Sequence, residues 1–202
     1  MSRPTIDLFG EDHAHEEFLK AMIERLSALE NREVVIRVLS AQGGRGRVLN
    51  EFALHQQAIL RGRSPLPEIL VVAVDTNCAT YHETQKRLQN QLTPEFTGKV
   101  VYACPFPHVE RWFMADPKSF SEVVGAEPVR ERRKCGRDRY KQHLADAIRK
   151  GGQPAPFGGK EFARELVLQM DLYRAGKNEP SLKAFVDSLR GALRLLGKTG
   201  RS

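Results

Sequence analysis

The sequence contains few residues of the kind that bind structural zinc or form disulfide bonds. Its three cysteines, Cys78, Cys104 and Cys135, include no CxxC pair, and its six histidines show no paired zinc-ligand spacing. This pattern argues against a zinc site and favours reduced thiols in a cytosolic protein.

Long hydrophobic runs are also missing. No segment approaches the roughly 20 apolar residues that span a bilayer. The first residues, MSRPTIDLFGEDHAHEEF, lack the apolar stretch of a secretory signal. We therefore expect a cytoplasmic protein that does not enter the membrane. There is neither an internal repeat nor a low-complexity tract.

The charge of the chain is strongly positive. Its 202 residues carry a net charge of +7, with an isoelectric point of about 9.5, which favours a polyanionic partner. The segment from Arg130 to Lys141 contains seven basic and two acidic residues, a net charge of +5. A nucleic-acid contact and a solvated helix face or loop are equally consistent with this segment.

Alternating strand and helix patterns predict an α/β fold. Runs of apolar and β-branched residues predict strands at Thr5–Gly10, Val34–Ser40, Ile69–Val74 and Lys99–Cys104. Helical patterns occupy Asp12–Leu29, Val48–Leu60 and Ala79–Gln91, and Pro107–Ala115 is predicted as a helix or a helical turn. Such β-α-β repeats predict a mostly parallel four-stranded sheet with flanking helices.

The character of the chain changes after Gly125. Helices are predicted at Arg137–Lys150, Lys160–Arg174 and Ser181–Leu196, and the Gly/Pro-rich segment Gly151–Gly159 separates the first two. We therefore divide the chain into an α/β domain, residues 1–124, and a basic helical C-terminal extension, residues 125–202, packed on that domain.

Polar residues follow each predicted strand. They are Glu11 and Asp12, then Gly43–Arg47, then Asp75 and Asn77, and finally His108 and Glu110. Since the carboxyl ends of parallel strands meet at one edge of a sheet, these loops are expected to open together. Carboxylate and amide oxygens are ligands that Mg²⁺ prefers, and alternation along an extended D-x-N segment points both side chains the same way. Glu11, Asp75 and Asn77 are therefore predicted metal ligands.

Several of these segments resemble Toprim motifs. GEDHAHEEFLKAMIERL, which contains Glu11, resembles the first motif, and VVAVDTNC resembles the second. Asp75–Cys78 and PFPHVERWFMAD (Pro105–Asp116) resemble the D-x-N-C and P-x-P-x-x-E-x-W-x-x-x-D patterns of stand-alone bacterial Toprim-like proteins, which are related to the nuclease domain of overcoming-lysogenization-defect proteins. The resemblance covers about Thr5 to Phe120.

The resemblance implies a Toprim-like (Rossmann-like) fold and a Mg²⁺-dependent nuclease, with Mn²⁺ as the alternative metal. Glu11 would be a general acid/base or a metal ligand, Asp75 the principal ligand and Asn77 an auxiliary one. Glu110 would be a further catalytic carboxylate, or alternatively an acid that favours a helix N-terminus. Two positions depart from the family pattern: Asn77 replaces an aspartate, and His15 stands where nuclease members carry an acid.

Other residues are candidates for contacts with nucleic acid. Arg45 and Arg47 lie in QGGRGRV, which is either a phosphate-binding loop or a plain strand-to-helix turn. The basic segment supplies four more candidates, Arg132, Arg133, Lys134 and Arg137. Lys160 is either an anion-binding group or a solvated helix start, and His108 is more often structural in such a position. Trp112, Phe113 and Phe120 are expected in the core rather than on a base-stacking surface.

Three functions remain open on the sequence. The first is a nuclease acting on DNA or RNA, working with a separately encoded ATPase in a bacterial antiviral defence or toxin module, as the resemblance implies. The second is a non-catalytic nucleic-acid-binding or protein-binding subunit of such a complex. The third is a phosphoryl-transfer enzyme that acts on small nucleotides. No membrane partner is expected, and a homo-oligomer is left open.

Overall fold

The protein is built around a sheet of four parallel strands. A computed structural model describes residues 3–39, 45–129, 136 and 138–196, although not the side chains of residues 45 and 46. The strands are β1 (Thr5–Phe9), β2 (Val35–Val38), β3 (Ile69–Ala73) and β4 (Val100–Ala103), in the order β2-β1-β3-β4. Every pairing is parallel, and Ile6 of β1 lies opposite Ile36 on one side and Ile69 on the other. The predicted α/β class and parallel sheet are confirmed.

Helices cover both faces of the sheet. One face packs against α1 (His13–Leu29) and the later helices, and the other packs against α2 (Arg45–Leu60), α3 (Tyr81–Gln89) and the 3-10 turn Pro94–Phe96. Successive strand residues alternate between the two cores, so that Val71 joins the α1 side and Val72 joins the α2 side. Burial on both faces explains why β3 is a continuous apolar run.

The later helices share the core of α1. They are α4 (Glu110–Phe113), α5 (Pro117–Val124), α6 (Arg139–Lys150), α7 (Ala163–Gln169), α8 (Leu172–Asn178) and α9 (Pro180–Leu196), with a 3-10 turn at Lys160–Phe162. Trp112 stacks on Phe185 with ring centroids 5.6 Å apart, and Phe113 packs on Phe18. Trp112, Phe113 and Phe120 are buried, as expected. Within the described ranges, no helix combines the length and apolar character needed to cross a membrane.

One predicted helix is broken in the structure. The pattern predicts a single helix over Lys160–Arg174, but α7 ends at Gln169 and α8 begins at Leu172. Asp171 produces this break: its side chain accepts a hydrogen bond from the backbone N–H of Arg174, and its own N–H donates to buried Asp116. An N-capping aspartate with an outside partner overrides the helical periodicity.

Candidate metal centre

Glu11 and Asp75 meet at the carboxyl edge of the sheet. Glu11 follows β1 and Asp75 follows the neighbouring central strand β3. The backbone N–H of Asp75 donates to Glu11 Oε2 over 2.9 Å, which ties the two strand ends together. The structure therefore brings these two predicted site residues into direct contact.

His15 completes the cluster from the first turn of α1. It is fully buried, with Nε2 lying 3.0 Å from Asp75 Oδ1 and Nδ1 lying 3.0 Å from Asp12 Oδ1. Asp12 in turn caps α1 by accepting hydrogen bonds from the backbone N–H groups of Ala14 and His15. One nitrogen or oxygen atom from each of Glu11, His15 and Asp75 lies within 4.8 Å of the others, so this group could hold a metal ion.

The donor atoms fit a divalent cation. His15 Nε2 is buried and forms no hydrogen bond of acceptable geometry, although it lies beside Asp75. When His15 keeps only the proton on Nδ1, which faces Asp12, the Nε2 lone pair is available to a cation near the Glu11 and Asp75 oxygens. A carboxylate that orients a histidine in this way is the usual outer partner of a metal-binding imidazole.

Within the cluster, the positive charge of His15 balances the negative charges of Asp12 and Asp75. Burial opposes the charged form of His15, but the charge of Asp75 and the hydrogen bond to Asp12 outweigh it and raise the pKa of His15 well above its usual value. Burial alone would raise the pKa of Asp75, yet His15 and His108 lower it below its ordinary range. A buried imidazolium between two carboxylates therefore holds the metal-free site together.

His108 positions Asp75 from the opposite side. Its Nδ1 lies 2.8 Å from Asp75 Oδ2, and the backbone N–H of Val109 donates to Asp75 Oδ1 over 2.9 Å. Burial opposes protonation of His108, but its hydrogen bond to Asp75 prevails and raises its pKa. Both oxygens of Asp75 are thus fixed by neighbours from the loop that follows β4.

Glu110 lies in the same cavity, at the start of α4. It is 3% exposed, and burial together with the negative charge of Asp75 raises its pKa to about 7. A carboxyl group with this pKa exchanges protons readily near neutral pH. Glu110 is therefore chemically suited to the acid or base role predicted for it.

The cavity has a volume of about 620 Å³ and collects residues from three of the strand ends and from the C-terminal helices. Its polar lining includes Glu11, Asp75, Asn77, His108, Glu110, Lys141 and Lys160, and its apolar lining includes Leu144 and Phe157. The Nζ atom of Lys141 lies 3.3 Å from Asp12 Oδ2. The site thus combines acidic residues that follow the strands with cationic and aromatic groups from residues 140–160.

Asn77 lines the cavity, but with a backbone conformation different from the one predicted. The backbone at Asn77 is left-handed, with φ of 53°, so the chain turns instead of continuing as an extended strand. Its side-chain amide donates to the backbone carbonyl of Asp75 over 3.4 Å. Asn77 therefore does not continue an extended segment from Asp75 as predicted, although it lines the cavity.

The predicted nucleic-acid contacts fall mostly beyond the described residues. Arg132, Arg133, Lys134 and Arg137 lie outside them, as does the side chain of Arg45. Arg47 is exposed in the first turn of α2. The contribution of these basic residues stays a prediction.

The sequence did not indicate His15 or Lys141 as parts of the site, and Asp12 was expected at this edge of the sheet but without a role there. His15 departs from the acid expected at this position, yet it follows Glu11 by only four residues and lies in the first turn of the helix that Asp12 caps. That spacing was the available signal. Lys141 belongs to the basic segment Arg130–Lys141, but its position beside Asp12 depends on how α6 packs, 129 residues later in the chain.

Comparisons of the chain with protein-family models, with curated proteins and with solved structures find no match.

Proposed function

We propose that this protein is a metal-dependent nuclease that hydrolyses phosphodiester bonds in DNA or RNA. The observation that carries the proposal is the convergence of Glu11, His15 and Asp75 at the carboxyl edge of a parallel sheet. The resemblance of the sequence to Toprim motifs supports the same chemistry. Asn77, in the same cavity, is a further candidate ligand through its amide oxygen.

The donor set bears on the choice of metal. Mg²⁺ favours oxygen ligands and retains several waters, whereas a buried imidazole nitrogen suits transition metals such as Mn²⁺ better. Glu11, His15 and Asp75 supply two carboxylates and one imidazole. We therefore propose that Mn²⁺ supports activity at lower concentration than Mg²⁺.

Each residue of the site has a distinct part in this proposal. A cation held there would polarise the phosphate and lower the pKa of a bound water. Glu110 accepts the proton of the attacking water, because it is a buried carboxyl group in the same cavity. His108 keeps Asp75 oriented, and Lys141 provides positive charge for the phosphate oxygens.

Incubation with plasmid and single-stranded substrates in Mg²⁺, Mn²⁺ or EDTA tests the proposal. We expect cleavage that EDTA and Asp75→Ala both abolish. Asp146→Ala, which removes an exposed carboxylate on α6 away from the cavity, is the matched control and should cleave like the wild type. Cleavage that persists in EDTA or in Asp75→Ala would contradict the proposal.

A second candidate function is a non-catalytic subunit that binds nucleic acid or protein. The observation that favours it is the charge balance of the metal-free cluster, since His15 already bridges Asp12 and Asp75. This function predicts salt-sensitive binding of nucleic acid without cleavage in any metal. Turnover of mononucleotides alone would instead support phosphoryl transfer on small nucleotides.

The separately encoded ATPase partner and the defence or toxin setting rest on the family resemblance alone. Co-purification with the product of an adjoining ATPase gene, where one is present, tests the partner directly. Cleavage stimulated by that protein and ATP would support the setting.

A further inference from the structure

The Gly/Pro-rich segment Gly151–Gly159 forms a loop that contributes Phe157 and Gly158 to the cavity lining. A Cβ atom on Gly151 would overlap the carbonyl oxygen of Val124, and one on Gly159 would overlap the side chain of Ile148. Gly159 also has a φ of 95°, which side-chain-bearing residues rarely adopt. These close approaches seat both ends of the loop against neighbouring helices, so the residues between them are held in place.

Phe157 is the exposed aromatic residue of this loop. Phe157 is 67% exposed, yet it lines the same cavity as Glu11 and Asp75. The turn that carries it is closed by a hydrogen bond from the N–H of Gly158 to the carbonyl of Ala155, and Ala155 packs on the core. A phenyl ring presented to solvent from an anchored turn, beside a polar cavity, offers a flat face to a ligand.

Lys160 follows the loop directly and also lines the cavity. It is partly buried, and it forms no ion pair with any residue in the described part of the chain. Lys141, the other lysine of the cavity lining, lies near Asp12. A cation that the described residues leave unpaired, in a cavity shared with an aromatic ring and an acidic cluster, is suited to a phosphate group that approaches the cluster.

We propose that Phe157 and Lys160 form a binding site for one unpaired nucleotide, with the base on Phe157 and a phosphate toward Lys160. This inference rests on the proposed nuclease function and names its substrate class: single strands or unpaired ends rather than intact duplex. A base inside a duplex has no free face to stack on Phe157. The cavity volume of about 620 Å³ is in the range that suits a ligand of nucleotide size.

Fluorescence anisotropy in EDTA tests this site without requiring catalysis. The probes are a labelled single-stranded oligonucleotide, its blunt duplex, and a strand of equal length in which abasic spacers replace every base. Phe157→Ala should weaken single-strand binding by about 5- to 150-fold, because one stacked base contributes on that scale. Phe157→Trp should preserve binding, and neither substitution should change binding of the abasic strand.

Tyr173→Ala is the matched control, since Tyr173 is an exposed aromatic residue on α8 outside the cavity. Its single-strand binding should equal that of the wild type. Lys160→Ala should reduce the magnitude of the slope of log affinity against log salt by about 1, the value of one lost phosphate contact. Lys160→Arg should keep the wild-type slope.

Failure of this inference is distinguishable from failure of the nuclease proposal. Equal binding of normal and abasic strands, or no effect of Phe157→Ala, would overturn the nucleotide site even if metal-dependent cleavage occurs. Phe157-dependent binding of single strands with no cleavage in any metal would support the site while rejecting the nuclease.

Discussion

Asp75 organises the site through contacts to several neighbours. His108 and the N–H of Val109 hold its two oxygens, His15 lies against Oδ1, and its own N–H donates to Glu11. Its carboxylate is therefore held in one orientation by groups from α1 and from the loop after β4. Such fixation is what a metal ligand or catalytic group requires, because a small displacement of either lowers activity strongly.

Glu110 governs the expected pH dependence of cleavage. As the proton acceptor it must be ionised, so the rate should rise with pH through the pKa of Glu110, which is about 7 without metal. A nearby cation favours the ionised carboxylate and lowers its pKa. The midpoint of the rise in cleavage rate with pH should therefore lie at or below about pH 7. Glu110→Gln should lower kcat by about 10²- to 10⁴-fold and abolish the rise in rate with pH. Profiles of cleavage rate against pH measure both effects.

The control for this prediction is Glu127→Gln, which changes an exposed carboxyl group outside the cavity and should leave the profile unaltered. A Glu110→Gln variant that keeps both the wild-type kcat and the same rise in rate with pH would exclude Glu110 as the proton acceptor.

Asp116 is a structural carboxylate whose contribution to stability depends on pH in the acid range, well below the pKa of Glu110. Although burial would raise its pKa, Arg174, Ser119 and the N–H of Asp171 lower it to about 2 from 3.8. The ionised form thus stabilises the fold above about pH 3.8, and this stabilisation is lost as the pH falls through about 2. At neutral pH, Asp116→Ala should cost about 2–4 kcal/mol, because it leaves buried donors and an arginine without their acceptor.

Denaturant unfolding at several pH values measures this effect. The stability difference between wild type and Asp116→Ala should narrow at acid pH, while Asp146→Ala should cost no more than about 0.5 kcal/mol at any pH. A difference that stays constant down to pH 2 would show that Asp116 acts through packing rather than charge.

At the scale of secondary-structure elements, the contact between α5 and α6 fixes the loop beside the site. Gly151 ends α6 against Val124, where a Cβ atom would overlap the carbonyl oxygen. Gly151→Ala should therefore cost about 1–3 kcal/mol, since one of the two helices must shift. Thermal and denaturant unfolding provide the measurement.

Gly191 of α9 is the control for Gly151, because it has room for a Cβ atom. Gly191 is exposed and a Cβ atom there meets nothing within 4 Å, so alanine should stabilise the protein by about 0.4–1 kcal/mol. If Gly151→Ala proves as harmless as Gly191→Ala, the proposed steric role of Gly151 is wrong.

The elements themselves were largely predictable from the sequence. Apolar and β-branched runs located all four strands, because burial on both faces leaves such runs without interruption. The helix periodicity located α1 to within one residue at its start. It failed at Gln169–Leu172, because the partner that turns the chain, Asp116, lies more than 50 positions away and cannot be read from local pattern.

At the scale of the whole molecule, parallel strand order made the convergence of Glu11 and Asp75 predictable. Both follow central strands, and the carboxyl ends of parallel strands share an edge. The sequence offered Lys160 as an anion-binding candidate, but it could not place Lys160, Lys141 and Phe157 in this cavity, since all three arrive through the packing of C-terminal helices on α1. The sequence thus indicated the acidic half of the site, and tertiary packing supplied the other half.

Anomalous diffraction from crystals grown with Mn²⁺ tests the central claim most directly. We predict a peak bonded to Glu11, Asp75 and His15 Nε2 at about 2.0–2.3 Å, with Asp12 still on His15 Nδ1 and no peak in Asp75→Ala crystals. A site with no peak at saturating Mn²⁺, with His15 still paired to Asp75, would contradict the metal centre.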